Sequence, residues 1–251
     1  RVQRLDPALA GEPPSFWRHN KSTVDLATIE ERGLAVRELT RAAGLEIPSL
    51  APYVPLSDHE GAERLLRAAR AMGVPMLRLG IPRYDRQRPY PELLAETRAH
   101  LQHLAVYAAA YETKILIEIH MGTIAPSASA AYRLLEGMDP DRVGAIYDPG
   151  NMAYEGYEAW RLGMELLGPY LAHVHVKNSQ WRAVGEDEHG TLHWEATSAP
   201  LARGIVDWGQ VIADLKAVGY EGYLSLEDFD TGKPTEDKIR DDIAYLKSLG
   251  A

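Results

Sequence analysis

Short runs of β-branched and aliphatic residues alternate along this chain with longer stretches carrying Leu, Ala and Ile at three- and four-residue spacing. No other feature restricts the fold so strongly. Seven runs read as strands, at 2–5, 46–54, 76–82, 115–121, 143–151, 171–179 and 223–229, and helical stretches read at 26–43, 59–72, 91–111, 127–138, 157–167, 208–218 and 235–249. Strand followed by helix, repeated, builds a parallel sheet, because the helix returns the chain to the edge where the next strand starts. Gly44, Gly73, Gly168, Gly219 and Gly250 stand where helices should stop, and Ser57 and Glu60 have capping-box spacing ahead of the second helix.

A closed (β/α)₈ barrel and an open doubly wound sheet both satisfy this alternation. The glycine-rich dinucleotide fingerprint of the open sheet is absent, and polar residues recur at the carboxyl ends of successive strands, where barrel enzymes place their chemistry. The chain therefore reads as α/β, a single (β/α)₈ TIM barrel domain over residues 1–251. Seven units after an irregular start predict that the first β/α unit is lacking, so the native protein is expected to carry an additional unit of roughly 20 to 30 residues before Arg1.

Four strand-end segments hold the polar residues that a buried strand otherwise avoids: Ile115-Leu-Ile-Glu118-Ile-His120, Val143-Gly-Ala-Ile-Tyr-Asp148-Pro-Gly-Asn151, His173-Val-His175-Val-Lys177-Asn178 and Leu224-Ser-Leu-Glu227-Asp228. A strand alternates its faces, so Glu118 and His120 share one face, as do His173, His175 and Lys177. Singly, a strand-end carboxylate is as readily a helix cap or an ion-pair partner. Together, three carboxylates and an imidazole at a low-dielectric mouth would repel one another or take up protons unless a cation compensated them. Glu118, Asp148, His175 and Glu227 are therefore the expected ligands of one divalent ion. An oxygen-rich set with one nitrogen favours Mn²⁺ or Mg²⁺, with Co²⁺ or Zn²⁺ as alternatives. Four single-atom ligands on an octahedral ion leave two positions that adjacent oxygens of an α-hydroxy ketone could fill.

Of the remaining polar residues, His120 either touches substrate or orients a ligand, and His173, one period deeper, supports the ligands from behind. Lys177 and Arg78 could hold a hydroxyl or carboxylate, and Arg78 could equally pair with Glu118. The stretch 179–203, with Trp181, Arg182, His189, His193 and Trp194, reads as a long loop over the mouth, and His19, His59, His100 and His103 receive no role.

A net charge of −9 disfavours nucleic acid as the main partner, since phosphate binding needs a positive surface. A small sugar- or polyol-derived molecule fits better. No apolar run approaches a membrane span and no signal-peptide pattern opens the chain. Zero Cys removes thiolate metal sites and cysteine nucleophiles, and the expected location is cytoplasmic. A homo-oligomer stays open.

At the four strand-end segments the chain resembles the xylose-isomerase-like barrel superfamily, in particular its sugar phosphate isomerase/epimerase branch, with Glu-x-His, Asp-x-Gly-Asn, His-x-His-x-Lys and a late Glu. The resemblance runs from about Thr23 to the carboxyl terminus and includes Gly219-Tyr-Glu-Gly-Tyr-Leu-Ser-Leu-Glu227. It implies metal binding by Glu118, Asp148, His175 and Glu227, with Glu118 and Glu227 also moving the proton. His120, Asn151, Lys177 and Arg78 are assigned to substrate. Asn151 stands where the ketose 3-epimerases of this group have His, and Trp181 where they have Arg. The activity implied is divalent-metal-dependent sugar or sugar phosphate isomerisation or epimerisation through an enediolate. Glu118-Ile-His120 also resembles the motif of the metal-dependent dehydratases of keto-cyclitols and 3-dehydroshikimate, the leading alternative. Endonuclease IV needs further histidines, one of which is replaced by Asn151, and a non-catalytic sugar-binding barrel would not need all four ligands.

Overall fold

The computed structural model describes residues 2–6, 8, 11–13 and 23–251; Arg1 and His19 lie outside them. Two compact units divide the chain: the residues up to Glu118 with Leu134–Gly144, and Ile119–Arg133 with Ala145–Ala251.

In the first unit β1 (Val2–Gln3) pairs in parallel with β2 (Val24–Asp25). Then come α1 (Ile29–Ala42), α2 (His59–Met72), β3 (Met76–Arg78), α3 (Tyr90–Ala110) and β4 (Lys114–Glu118). β3 and β4 are parallel, with Met76 opposite Lys114 and Arg78 opposite Leu116. Their apolar residues Leu77, Ile115, Leu116 and Ile117 are fully buried, and α2 adds Ala62, Leu65, Leu66, Ala69 and Met72 from one face. Asp58, not Ser57, caps α2: its Oδ1 accepts from Gly61 N at 3.0 Å while Arg4 holds Oδ2 at 2.7 Å. Asp presents a charged acceptor to the positive end of the helix, and Ser a neutral one.

The strand expected at 46–54 does not form. Leu50 makes an isolated bridge to Leu77, donating to Met76 O at 3.0 Å and accepting from Arg78 N at 2.8 Å, and Pro55 bridges Gly80. Pro48 and Pro52, which flank Leu50, have no N–H to give, so a continuous ladder is not available.

α4 (Ala128–Leu135) and β5 (Val143–Tyr147) cross from one unit into the other along the chain. The second unit continues with α5 (Pro149–Glu155), α6 (Trp160–Leu167), β6 (Leu171–Val176), β7 (Asn178–Glu186), β8 (Leu192–Ala199), α7 (Trp208–Ala217), β9 (Leu224–Leu226) and α8 (Thr235–Ser248). β6 lies parallel to both neighbours, with Tyr147 opposite Val174 on one side and Ser225 opposite His175 on the other. The run expected at 143–151 stops at Tyr147 because Asp148 and Pro149 form an N-cap and first-turn proline and start α5. The expected loop at 179–203 is instead mostly an antiparallel hairpin, β7 with β8, closed by a turn in which Asp187 Oδ1 accepts from His189 N and Thr191 N, both at 2.9 Å. The expected glycine stops all have positive φ, from 50° at Gly168 to 78° at Gly250.

Candidate metal centre

Three consecutive parallel strands of the second unit end in polar side chains, and register decides which of them meet. Asp148 follows β5 directly. His175 is the next-to-last residue of β6, and Glu227 follows β9, with its N–H still bonded to Val176 O at 2.9 Å. Adjacent parallel strands are about 4.8 Å apart, so residues at matching heights bring their side-chain tips together. Asp148 Oδ2 and Glu227 Oε2 each lie 3.5 Å from His175 Nδ1, and the three residues each offer a ligand atom within 4.8 Å of the others.

These distances suit a divalent ion. Two ligand atoms about 2.1 to 2.2 Å from one ion stand about 3.0 Å apart at a right angle and about 3.5 Å apart at the tetrahedral angle. Two carboxylate oxygens and an imidazole nitrogen are also a donor set that Mn²⁺, Mg²⁺ or Zn²⁺ accepts.

Neighbouring polar side chains surround the three candidate ligands. Asp148 is completely buried; its Oδ1 accepts from Asn151 N at 2.8 Å, and its Oδ2 accepts from Asn151 Nδ2 at 2.8 Å. The same Nδ2 also donates to Ile119 O at 3.0 Å. Asn151, expected from sequence to contact substrate, is itself fully buried, and its Nδ2 is shared between Asp148 Oδ2 and Ile119 O. His173 shares a 2.8 Å hydrogen bond with Ser225 Oγ, and burial, then the neighbouring His175, depress its pKa to about 4. It is a neutral supporting residue at ordinary pH. Lys177 Nζ donates to Asp148 Oδ2 at 2.9 Å and Glu227 Oε2 at 2.6 Å, and lies 5.4 Å from the Phe229 ring centre. Glu227 is the open member of the group, with its side chain 34% exposed against 10% for His175 and 0% for Asp148.

His120 stands half-buried just past β4, its Nδ1 2.7 Å from Met121 O. In the first unit Glu118, at the carboxyl end of β4 and 5% exposed, pairs with Arg78 from β3, whose Nη2 also donates to Pro52 O at 3.1 Å. Sequence reasoning passed over Gly150: a Cβ there would lie 2.4 Å from Lys177 Cγ and 3.1 Å from Lys177 O. No local signal marks it, because the collision is with a residue 27 positions later in the chain.

The model of the xylose isomerase-like TIM barrel family matches residues 15–249. The chain belongs to this family. Over 135 residues it is 27% identical to an inosose dehydratase of Geobacillus thermodenitrificans, a match covering 51% of this chain and 44% of that relative, so the chain is matched to less than half of the relative's length. Among solved structures it is similar to the 3-keto-D-glucoside 4-epimerase of E. coli, with TM-score 0.70, 18% identity, and coverage of 92% of this chain and 90% of that one. It is also similar to a xylose isomerase-like barrel protein of Mycobacterium smegmatis in complex with magnesium, with TM-score 0.69, 19% identity, and coverage of 90% and 80%. The family's fold is the (β/α) barrel that the alternation implied. Among the described residues no helix is long and apolar enough to cross a membrane.

Proposed function

We propose that the chain is a divalent-metal-dependent isomerase or epimerase of a sugar or sugar phosphate, moving a proton on the carbon next to a carbonyl. The observation that carries this reading is the meeting of Asp148, His175 and Glu227 at the ends of β5, β6 and β9. Glu118 is assigned as the fourth ligand from its burial at the carboxyl end of its own strand. A bound divalent ion supplies the positive charge that lowers the cost of negative charge growing on a substrate carbonyl oxygen.

The remaining roles belong to side chains. Glu227 is the most exposed carboxylate of the group and takes the carbon-bound proton, and Glu118 acts as its partner. His120, Lys177 and Arg78 supply polar contacts to substrate, and Asn151 acts through Asp148. Return of the proton to the same carbon from the other face is epimerisation, and its return to the neighbouring carbon is isomerisation. The 27% identity to an inosose dehydratase supports a second reading, in which the same proton abstraction is followed by loss of a β-hydroxyl.

The test is exchange of substrate hydrogen with deuterated water at saturating Mn²⁺, run over ketoses, inososes and 3-dehydroshikimate. Wild-type protein should exchange the α-hydrogen, and Glu227→Gln should lose about 10² to 10⁴ in rate. Equal exchange in the two proteins removes Glu227 as base. A product of unchanged mass supports the isomerase or epimerase, a product lacking one water supports the dehydratase, and turnover without exchange removes the proton-transfer mechanism.

A further inference from the structure

Besides the substrate contact proposed for it, Lys177 already spans two of the candidate ligands. Its Nζ donates to Asp148 Oδ2 and Glu227 Oε2, the same two oxygens that stand 3.5 Å from His175 Nδ1. The lysine side chain is 8% exposed and Asp148 is closed to solvent. Local sequence builds its path: Gly150, in the first turn of α5, leaves room for the Lys177 stem at a place where any Cβ would collide with it. Asn151 fixes Asp148 from the other side, so the oxygen facing the ammonium has little freedom to turn away.

Two carboxylates brought this close in a largely buried setting need positive charge beside them. Lys177 provides one unit through the oxygens that a divalent ion would use to provide two. We infer that Lys177 is the resident counter-cation of the Asp148–Glu227 pair. It holds the two oxygens at ligand spacing and competes with the divalent ion for them, and so sets how tightly the centre takes metal. The inference rests on the metal reading proposed above. A lysine whose work is confined to substrate would leave metal affinity and metal-free stability unchanged when replaced.

The test is Lys177→Met, which keeps the apolar stem of the side chain as far as its fourth atom and removes the ammonium, measured without substrate. Calorimetric titration with Mn²⁺ should give a dissociation constant lower than wild type by roughly tenfold or more, because a neighbouring positive charge is gone. Thermal melting in EDTA should occur at a lower temperature than wild type, and the rise on adding Mn²⁺ should be larger. Unchanged or weaker Mn²⁺ binding in Lys177→Met overturns the inference. If Lys177→Met does not fold without metal, Gly150→Ala serves as the second variant: it keeps the lysine and obstructs its path, and its Mn²⁺ affinity should also rise. Wild-type affinity in Gly150→Ala would count as refutation. Wild-type protein that takes up no Mn²⁺ is a separate result, and it overturns the metal reading itself.

Discussion

Asp148 uses its two oxygens differently. Oδ1 caps α5 through Asn151 N, and Oδ2 faces His175 and Lys177. The sequence offered helix cap and metal ligand as competing explanations of this residue, and the geometry accommodates both. Asp148→Asn keeps a capping oxygen but removes the charge, so the protein should fold while Mn²⁺ affinity falls at least about tenfold. Asp148→Ala should lose that affinity and also about 1 to 2 kcal/mol of stability with the cap. Calorimetry and denaturant melts of the two variants separate the roles; equal stability of Asn and Ala variants would deny the cap. A second carboxyl makes a pH prediction. Burial, then the charge of Asp228, raise the Asp242 pKa to about 6. A folded pKa above the unfolded value means that Asp242 favours folding while it is protonated, and this contribution is lost as pH rises through about 6. Asp242→Asn should therefore melt higher than wild type at pH 8, with the advantage shrinking toward pH 4; a gain independent of pH would contradict the assignment.

At the scale of elements, the base of the β7–β8 hairpin is tied down by Asn178, with Ser179 Oγ donating to Gly150 O at 2.8 Å and Trp181 Nε1 to Ala153 O at 2.7 Å beside it. Asn178 Nδ2 donates to Leu201 O at 2.7 Å and Val206 O at 2.9 Å, and its Oδ1 accepts from Ser179 N and Val206 N at 2.9 Å. Asn178→Ala leaves four buried backbone groups without their partner, and each such group costs about 1 to 3 kcal/mol. Hydrogen exchange should quicken across 178–206 more than in α2, and uniform quickening would mean that Asn178 supports the whole fold instead. Why 178–199 did not read as strands is physical: nearly every residue from Gln180 to Glu195 is exposed on both faces of the hairpin, so no alternation of apolar and polar residues marks it. The opposite error came at 46–54, where an apolar run looked like a strand and its prolines withheld the donors. Elements with one buried face were legible. The run 59–72 matches α2 end for end, because its buried stripe and Gly73 define both the face and the stop. The candidate ligands stood out only as a group: a single strand-end carboxylate is readily a cap or an ion-pair partner, but three of them with an imidazole at successive strand ends call for a compensating cation. Gly150 was not legible, since its meaning depends on where the side chain of Lys177 runs, 27 residues later in the chain.

For the chain as a whole, the alternation of strand-like and helix-like stretches fixed the class, and the family match bears it out. Substrate identity is a matter of side-chain positions above the strand ends and does not show in periodicity. What can be tested on the intact protein is the coupling of metal to stability. An ion that binds only the folded chain adds RT ln(1 + [L]/Kd), about 2.7 kcal/mol at a hundredfold excess over Kd. For a chain of this size each kcal/mol moves the melting temperature by about 2 to 4 °C, so saturating Mn²⁺ should raise it by about 5 to 10 °C over an EDTA-treated sample. A net charge of −9 provides a rival explanation, since any divalent cation relieves repulsion on an acidic surface. The two differ in their response to salt. Diffuse screening is already saturated at 0.5 M KCl, where the Debye length is only about 4 Å, whereas ligation by a buried Asp148 and His175 is not. The Mn²⁺ shift should therefore persist in 0.5 M KCl, reach its limit near one ion per chain, and vanish in Asp148→Ala. A shift that salt abolishes, or that Asp148→Ala keeps, would place the metal on the acidic surface and not at the ends of β5, β6 and β9.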